Sequence, residues 1–338
     1  MKADFTIRNS ASIYLGPAEE LLPELLTGRR VVLVTDTEIQ RLYPALCSRY
    51  PMITIGRGEE QKTLSTVEQI HRALIDLGAD RKSFLLAVGG GIVTDTAGFA
   101  ASTYMRGIDF GFVSTTLLGQ VDASVGGKNG VNVGGYKNMA GTFTQPQFVI
   151  CDPAMLATLP DREFRAGLAE VVKAAVIGDA DLFAHLEQRS FEELRRDTRL
   201  LGEVVRAAVA VKAAIVERDE REAGDRRLLN LGHTPAHAIE KCSSAMNHGE
   251  AVAVGLNLVA EVAVRLGFLT PTEQQRIATL LMRLGFALQP PVPLEHLLEA
   301  IGKDKKSEGE HLHLVLPEAI GQCRVLTLPK TEIKELFL

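Results

Sequence analysis

The sequence has little of several features that usually mark a specialised protein. Its four cysteines, Cys47, Cys151, Cys242 and Cys323, are far apart and show no paired spacing. That excludes a disulfide framework and a cysteine metal site, and leaves free thiols in a reducing compartment. Basic residues are not in excess. Lys and Arg total 37 against 42 Asp and Glu, a net charge of −5, and the cations are scattered, so no nucleic-acid partner is expected. The opening Met1-Lys-Ala-Asp-Phe-Thr-Ile lacks the apolar core of a signal peptide. The most apolar helical stretch, Ala251 to Leu266, is interrupted by Asn257, Glu261 and Arg265. A soluble, cytoplasmic protein with no membrane partner is the expectation. Internal repeats, low-complexity linkers and a His-Glu-x-x-His ligand pair are also absent.

What is present suffices for two domains, since 338 residues with 46% apolar content exceed one ordinary core. In the first half, Val31–Val34, Met52–Ile55, Phe84–Val88, Phe110–Val113 and Phe148–Ile150 are apolar runs bounded by Asp or Gly. Such runs suit strands buried on both faces of a mainly parallel sheet. Helical spacing over Leu64–Leu77 and Ile92–Thr103 completes an α/β, Rossmann-like nucleotide-binding domain, placed at residues 1–152. From residue 153 to 338 the texture predicts an all-α metal- and substrate-binding domain. Its helices are expected over Asp161–Ile177, Ala180–Glu193, Leu200–Glu217, Pro235–Cys242, Glu250–Leu266 and Thr272–Leu284. His311-Leu-His-Leu-Val-Leu316 alternates and reads as a short strand with its histidines on the exposed face.

Three groups of residues suggest chemistry. Glu170, His233 and His248 make the two-imidazole, one-carboxylate set of an open catalytic zinc site, although isolated histidines more often serve as core or surface residues. Asn230, Glu240 and Glu250 lie near these histidines in sequence and suit supporting roles. Gly89-Gly90-Gly91-Ile-Val-Thr-Asp95 follows a buried strand and opens a helix, where main-chain N–H groups can meet a pyrophosphate. A plain strand-to-helix turn explains the same glycines. No Gly-Lys-Ser or Gly-Lys-Thr occurs there, so a dinucleotide suits the turn better than a mononucleotide. Asp36 ends a strand where a ribose would sit, and Thr115-Thr116 add hydroxyls near the same edge. The glycine-dense segment from Gly119 to Asn132 reads as a loop. Its Lys128 is either an anion clamp or a solvated lysine. Arg106, Lys137, Lys173, Lys212, Arg226 and Lys305 are further cations, each explicable alone as a solvated charge.

Together these motifs resemble the 3-dehydroquinate synthase family of sugar phosphate cyclases over almost the whole chain. The resemblance is carried by Gly58-Glu59-Glu-Gln-Lys62, Gly89–Asp95, Thr103-Tyr-Met-Arg106, Ser114–Lys128, Lys137-Asn138, Gly167–Glu170, Asp219-Glu-Arg-Glu222, Asn230–Thr234, His248-Gly-Glu-Ala-Val and Lys303–Lys306. It implies a dehydroquinate synthase-like fold, with substrate in a cleft between the domains. The implied reaction turns 3-deoxy-D-arabino-heptulosonate 7-phosphate into 3-dehydroquinate and phosphate, with NAD and Zn2+ or Co2+ as cofactors.

By the same resemblance, Asp36, Glu59, Lys62, Gly90, Gly91, Asp95, Thr115, Thr116, Asp122, Lys128, Lys137 and Thr158 belong to the NAD site, and Glu170, His233 and His248 hold the metal. Lys128, Arg106, Asn230, His237 and Lys305 take the phosphate, and Lys212 and Arg226 take the substrate carboxylate. Asn138, Lys137, Lys173 and Glu222 complete the site. A homodimer is implied, in which Arg106 serves the neighbouring subunit.

The chain departs from the family pattern in three places. Thr94 replaces a common glycine and is expected to add a side chain near the pyrophosphate turn. Pro235-Ala236 replaces an aromatic-Gly pair, predicting Thr234 as helix N-cap and Pro235 as first helical residue. The segment between His237 and His248 is shorter than usual. Rival readings are another sugar phosphate cyclase, such as an amino-dehydroquinate synthase, an NAD-dependent polyol dehydrogenase, and a non-catalytic nucleotide-binding regulator. A carboxylate-free sugar would give Lys212 and Arg226 no anion to hold, and a regulator would not use a complete metal triad.

Overall fold

A computed structural model describes residues 2–8, 10–302 and 311–337, so the site role expected for Lys305 lies outside the described residues. The chain divides into two compact units, Met1–Pro160 and Asp161–Leu338.

In the first unit the strands are β1 (Phe5–Ile7), β2 (Ala11–Leu15), β3 (Arg30–Asp36), β4 (Met52–Ile55), β5 (Ser83–Gly89), β6 (Asp109–Ser114), β7 (Lys128–Val133), β8 (Tyr136–Phe143) and β9 (Phe148–Cys151). Seven of them form one sheet in the order β1-β2-β9-β6-β5-β3-β4. Every neighbouring pair is parallel except β1 with β2. The five apolar runs become β3, β4, β5, β6 and β9. All seven residues of β5 are buried, as a central strand covered on both faces requires. β1 and β2 escape the sequence pattern because they are short; β2 is recruited by pairing with β9 and β1 by pairing with β2, not by an apolar run of their own. Connections run from β3 outward to β4 and then back past β3 to β5. The strand order therefore reverses between β3 and β5, the place where α/β sheets open a ligand crevice at their C-terminal edge.

The glycine-dense segment is only partly a loop. A π-helical turn spans Gly119–Ala123, and β7 and β8 then form an antiparallel hairpin. Gly134 and Gly135, at φ 59° and 80°, make its two-residue turn, a geometry for which glycine is the natural choice. Gly130 and Gly141 face each other across the pair, where a Cβ on Gly141 would lie 2.3 Å from the Asn129 carbonyl oxygen. Here the glycines make a strand pair possible, contrary to the expectation of a loop.

The second unit is helical with one hairpin. Its main helices span Asp161–Gly178, Ala180–Glu187, Phe191–Arg196, Thr198–Arg218, His233–Cys242, His248–Arg265, Pro271–Arg283 and Leu294–Gly302. The single helix expected over Ala180–Glu193 is broken at Ser190, whose hydroxyl accepts from the Glu193 N–H while Glu193 accepts from the Ser190 N–H. β10 (His311–Ala319) and β11 (Gln322–Pro329) pair antiparallel, so the expected short strand is one arm of a longer hairpin. Among the described residues no helix is long and apolar enough to cross a membrane.

Candidate active site

In the first unit the expected nucleotide residues gather at the C-terminal ends of β3, β5 and β6. Asp36 closes β3 and caps the next helix, its Oδ1 accepting from the N–H groups of Glu38 (2.8 Å) and Ile39 (2.9 Å). Gly90 is the N-cap of the Gly91–Thr103 helix and makes no side-chain cap, so the first turn presents main-chain N–H groups. A Cβ on Gly90 would sit 2.8 Å from Thr116 Cγ2, and one on Gly91 would sit 3.1 Å from Ala123 Cβ. The Thr115 N–H donates to the Gly89 carbonyl (3.0 Å) and the Gly119 N–H to Thr116 Oγ1 (3.0 Å), locking this turn to the end of β6. Asp122 lies in the π-helical turn that follows. Thr94 is fully buried and donates to the Gly91 carbonyl at 3.2 Å. Its side chain is thus near the glycine turn, as expected, but bonds back to that turn's last carbonyl within its own helix.

Buried Lys62 and half-buried Asp95 form an ion pair at 2.6 Å. The Lys62 carbonyl accepts from the Asn132 N–H (2.8 Å), Asn132 Nδ2 donates to Glu59 Oε1 (2.8 Å), and Asn132 Oδ1 accepts from the Asn138 N–H (2.9 Å). Asn132 thus ties three expected site residues together, a role not legible in the sequence. Thr158 is exposed and shares a 2.8 Å hydrogen bond with the Tyr43 hydroxyl, again an unforeseen partner. Lys128 and Lys137 are exposed on the hairpin, with Lys128 Nζ 6.0 Å from the Phe143 ring centroid. Arg106 is exposed on a turn where Met105 and Arg106 hold positive φ of 50° and 73°.

In the second unit the triad assembles. Ligand atoms of Glu170, His233 and His248 all lie within 4.8 Å of one another. Glu170 is buried in the Asp161–Gly178 helix, with Oε1 3.6 Å from His233 Nε2 and 3.4 Å from His248 Nε2. Its Oε2 pairs with Lys173, one turn along the same helix and itself only 3% exposed. The far side of each imidazole is also specified. His233 Nδ1 lies 3.2 Å from the Leu231 carbonyl and His248 Nδ1 lies 3.3 Å from Glu240 Oε1. Both partners only accept, so each Nδ1 is the donor and each ring, once neutral, would present an Nε2 lone pair on the Glu170 side.

Burial, reinforced by Lys173, pushes His233 down to about 3. Burial also opposes charging His248, but its bonds to Glu170 and Glu240 outweigh that and raise it to about 9. Without an ion His248 therefore keeps a proton that a metal would displace. This donor set fits a divalent cation of the Zn2+ type.

Two backbone contacts bring the helices this close. A Cβ on Gly249 would lie 2.2 Å from Ala166 Cα, and one on Gly255 would lie 2.0 Å from the Gly232 carbonyl oxygen. The helix bearing His233 starts at that residue, with Gly232 at φ 75° as N-cap and no side-chain cap. The N-cap expected at Thr234 is therefore displaced by two residues, because the left-handed Gly232 turns the chain first. His237 sits one turn on, its ring centroid 5.5 Å from that of His233, beside the triad but outside it.

Lys212 and Arg226 are both buried, at 8% and 2% exposure. Arg226 donates to the Glu220 carbonyl, and Asn230 Nδ2 donates to Glu222 Oε1 at 2.6 Å. Asp219 organises this loop by accepting the N–H groups of Ala223 (3.0 Å), Gly224 (2.7 Å) and Arg226 (3.0 Å). Those bonds outweigh desolvation and hold its carboxyl at about 2. Asp219 is not among the expected site residues. A carboxylate closing a short glycine-containing loop is the signal that marks it.

Comparison with known proteins identifies the family. The family description 3-dehydroquinate synthase N-terminal matches residues 52–166, and 3-dehydroquinate synthase C-terminal matches 167–307. A 3-dehydroquinate synthase of Halorhodospira halophila is 44% identical over 326 residues, covering 94% of this chain and 92% of its own. Among solved structures, the 2-epi-5-epi-valiolone synthase ValA of Streptomyces hygroscopicus, with NAD+ and Zn2+ bound, is 28% identical. It superposes with a TM-score of 0.88 over 99% of this chain and 98% of its own. A 2-deoxy-scyllo-inosose synthase complexed with carbaglucose-6-phosphate, NAD+ and Co2+ is 26% identical, with a TM-score of 0.84 over 99% and 97%. Matched over residues 52–307 and 44% identical to a relative across 94% of its length, the chain belongs to the 3-dehydroquinate synthase family.

Proposed function

We propose that this chain converts 3-deoxy-D-arabino-heptulosonate 7-phosphate into 3-dehydroquinate and phosphate. It acts as a phosphate-eliminating carbon–oxygen lyase that reduces and reoxidises NAD within each turnover. The observation that carries this reading is the pair of histidines whose Nδ1 atoms are committed to Leu231 and Glu240, leaving both Nε2 atoms directed at Glu170. When bound, the divalent ion supplies Lewis acidity at a substrate alcohol and NAD supplies a temporary hydride acceptor.

The remaining work falls to side chains. Lys173, bonded to Glu170 Oε2, orients the carboxylate so that Oε1 faces the histidines. Lys212 and Arg226, both buried, hold the substrate carboxylate, Arg226 by a planar two-point grip. A sugar without a carboxylate would leave those two cations without their intended anion, which favours dehydroquinate formation over cyclisation of a carboxylate-free sugar. Asn230, His237, Lys128, Arg106 and Lys305 take the phosphate, while Asn138 and Glu222 hold substrate hydroxyls. Asp36 and Thr158 take the adenosine end of NAD, and the Gly90-Gly91 turn takes its pyrophosphate. Glu59, Lys62, Asp95, Thr115, Thr116, Asp122 and Lys137 line the rest. Loss of the proton beside the newly formed ketone expels phosphate, and the departing phosphate accepts it, so no strong protein base is required.

The active unit is a homodimer in this proposal, with Arg106 reaching the partner's substrate. Its exposure, beside a Met105 that is 46% exposed, supports that role. Mixing Arg106→Ala with Lys212→Ala tests it. Exchanged dimers should recover up to about a quarter of wild-type activity, and exchange without recovery refutes the shared site. A cytoplasmic setting fits the free thiols of Cys47, Cys151, Cys242 and Cys323. The decisive assay follows phosphate release from the heptulosonate phosphate with catalytic NAD, before and after metal removal. Phosphate should accumulate without NADH. Stoichiometric NADH from a polyol would instead establish a dehydrogenase.

A further inference from the structure

Arg162 is the second residue of the Asp161–Gly178 helix, two turns before Glu170, and is not among the residues expected at the site. Its guanidinium grips Glu250 at both oxygens, Nε to Oε1 at 2.9 Å and Nη2 to Oε2 at 2.6 Å. Nη2 also donates to the Ala245 carbonyl at 3.1 Å. Glu250 is the third residue of the helix that begins with His248. It completes a reciprocal cap there: Asn247 N–H donates to Glu250 Oε2 (2.8 Å) and Glu250 N–H donates to Asn247 Oδ1 (3.0 Å). One guanidinium therefore holds the chain on both sides of His248, at residues 245 and 250.

We propose that Arg162 is a positioning residue for the metal site. It ties the first turn of the helix carrying Glu170 to the first turn of the helix carrying His248, and so sets the rotation of that turn. This inference rests on the metal reading above. Magnitudes argue for positioning over bulk stability. The side chains of Arg162 and Glu250 are 56% and 28% exposed, and an ion pair this open contributes little to folding. Ligand geometry is less forgiving, and loss of a supporting partner typically weakens metal binding about 10–100-fold. The two helices already meet backbone to backbone at Gly249 and Ala166, which fixes their distance. The Arg162 clamp then controls the remaining freedom, the rotation of the first turn that aims His248 Nε2 at Glu170.

The test uses the full chain stripped of metal, titrated with Zn2+ against a chromophoric chelator and with Co2+ followed by its visible absorption. Arg162→Ala should bind Zn2+ about 10-fold more weakly and shift the Co2+ bands, with Arg162→Lys intermediate. Arg276→Ala is the matched control, since Arg276 grips Glu187 at 2.9 and 2.6 Å with side chains 42% and 29% exposed. It should retain wild-type affinity. Wild-type affinity in Arg162→Ala overturns the proposal, as does an equal loss in Arg276→Ala. If Arg162→Ala does not fold, Arg162→Lys decides: weaker Zn2+ binding at unchanged Tm supports positioning, and unchanged binding refutes it. Failure of the wild-type chain to take up either ion, or uptake that survives His248→Ala, would instead sink the metal reading itself.

Discussion

The nucleotide residues of the first unit and the metal residues of the second are assembled by opposite means. At the end of β5 the Gly90-Gly91 turn offers main-chain N–H groups, for which the glycines leave room. Around Glu170 the working groups are side chains from three helices, brought within 4.8 Å by packing between residues far apart in the chain. The first kind of site is damaged by adding atoms, the second by removing them. Substitutions can therefore separate the two.

Deletion in the second unit should have the largest effect. His248→Ala removes one of three ligands and is expected to empty the triad and lower turnover on the order of 10³-fold. His237→Ala, beside the triad but outside it, should keep nearly full metal content while handling phosphate poorly. Metal analysis after gel filtration checks both, and the reverse pattern would mean that the wrong histidine has been assigned.

Addition comes next and sharpens the contrast, because one methyl group placed in each unit should give different readouts. Gly90→Ala puts a Cβ 2.8 Å from Thr116 Cγ2 and should weaken NAD binding about 10-fold, with metal content unchanged. Gly249→Ala pushes a Cβ against the backbone of Ala166, which cannot yield as a side chain can, and should lower both Tm and metal content. Calorimetric NAD titration and metal analysis on both variants would show whether the sites are as separable as the structure implies.

The smallest effect concerns Asp219. Its carboxyl titrates at about 2 in the folded chain against an ordinary value of 3.8, so its hydrogen bonds stabilise the folded state fully above pH 3.8. That contribution is lost as pH falls from about 4 toward 2. Asp219→Asn should show a shallower loss of Tm over that window. At neutral pH it should raise KM for the heptulosonate phosphate a few-fold more than it lowers kcat, because Arg226 and Glu222 are held less firmly. Parallel Tm profiles for variant and wild type would refute the role.

Much of this architecture is legible in the amino-acid order. The five buried runs announce the sheet, and Gly89–Asp95 announces its ligand turn, because each signal lies within a few consecutive residues. Partners set by folding are not legible. Nothing near Asn132 in sequence indicates that it joins Glu59, Lys62 and Asn138, and Tyr43 meets Thr158 across 115 positions. The glycine-dense segment is ambiguous for a physical reason. Glycine suits a loop, but Gly130 and Gly141 instead permit two strands to approach, and Gly134-Gly135 turn one into the other.

By itself the sequence determined the α/β and helical halves, the donor types of the metal triad and the chemistry available at the strand ends, all of which follow from local pattern and residue type. Only the tertiary structure decided which nitrogen of each histidine is offered, since that depends on the Leu231 carbonyl behind one ring and Glu240 behind the other. It also decided that the Thr94 hydroxyl bonds back to the Gly91 carbonyl and that Gly232, not Thr234, opens the His233 helix. Composition specifies what a group can donate or accept. Its direction is set by neighbours distant in the chain, and coordination chemistry depends on direction.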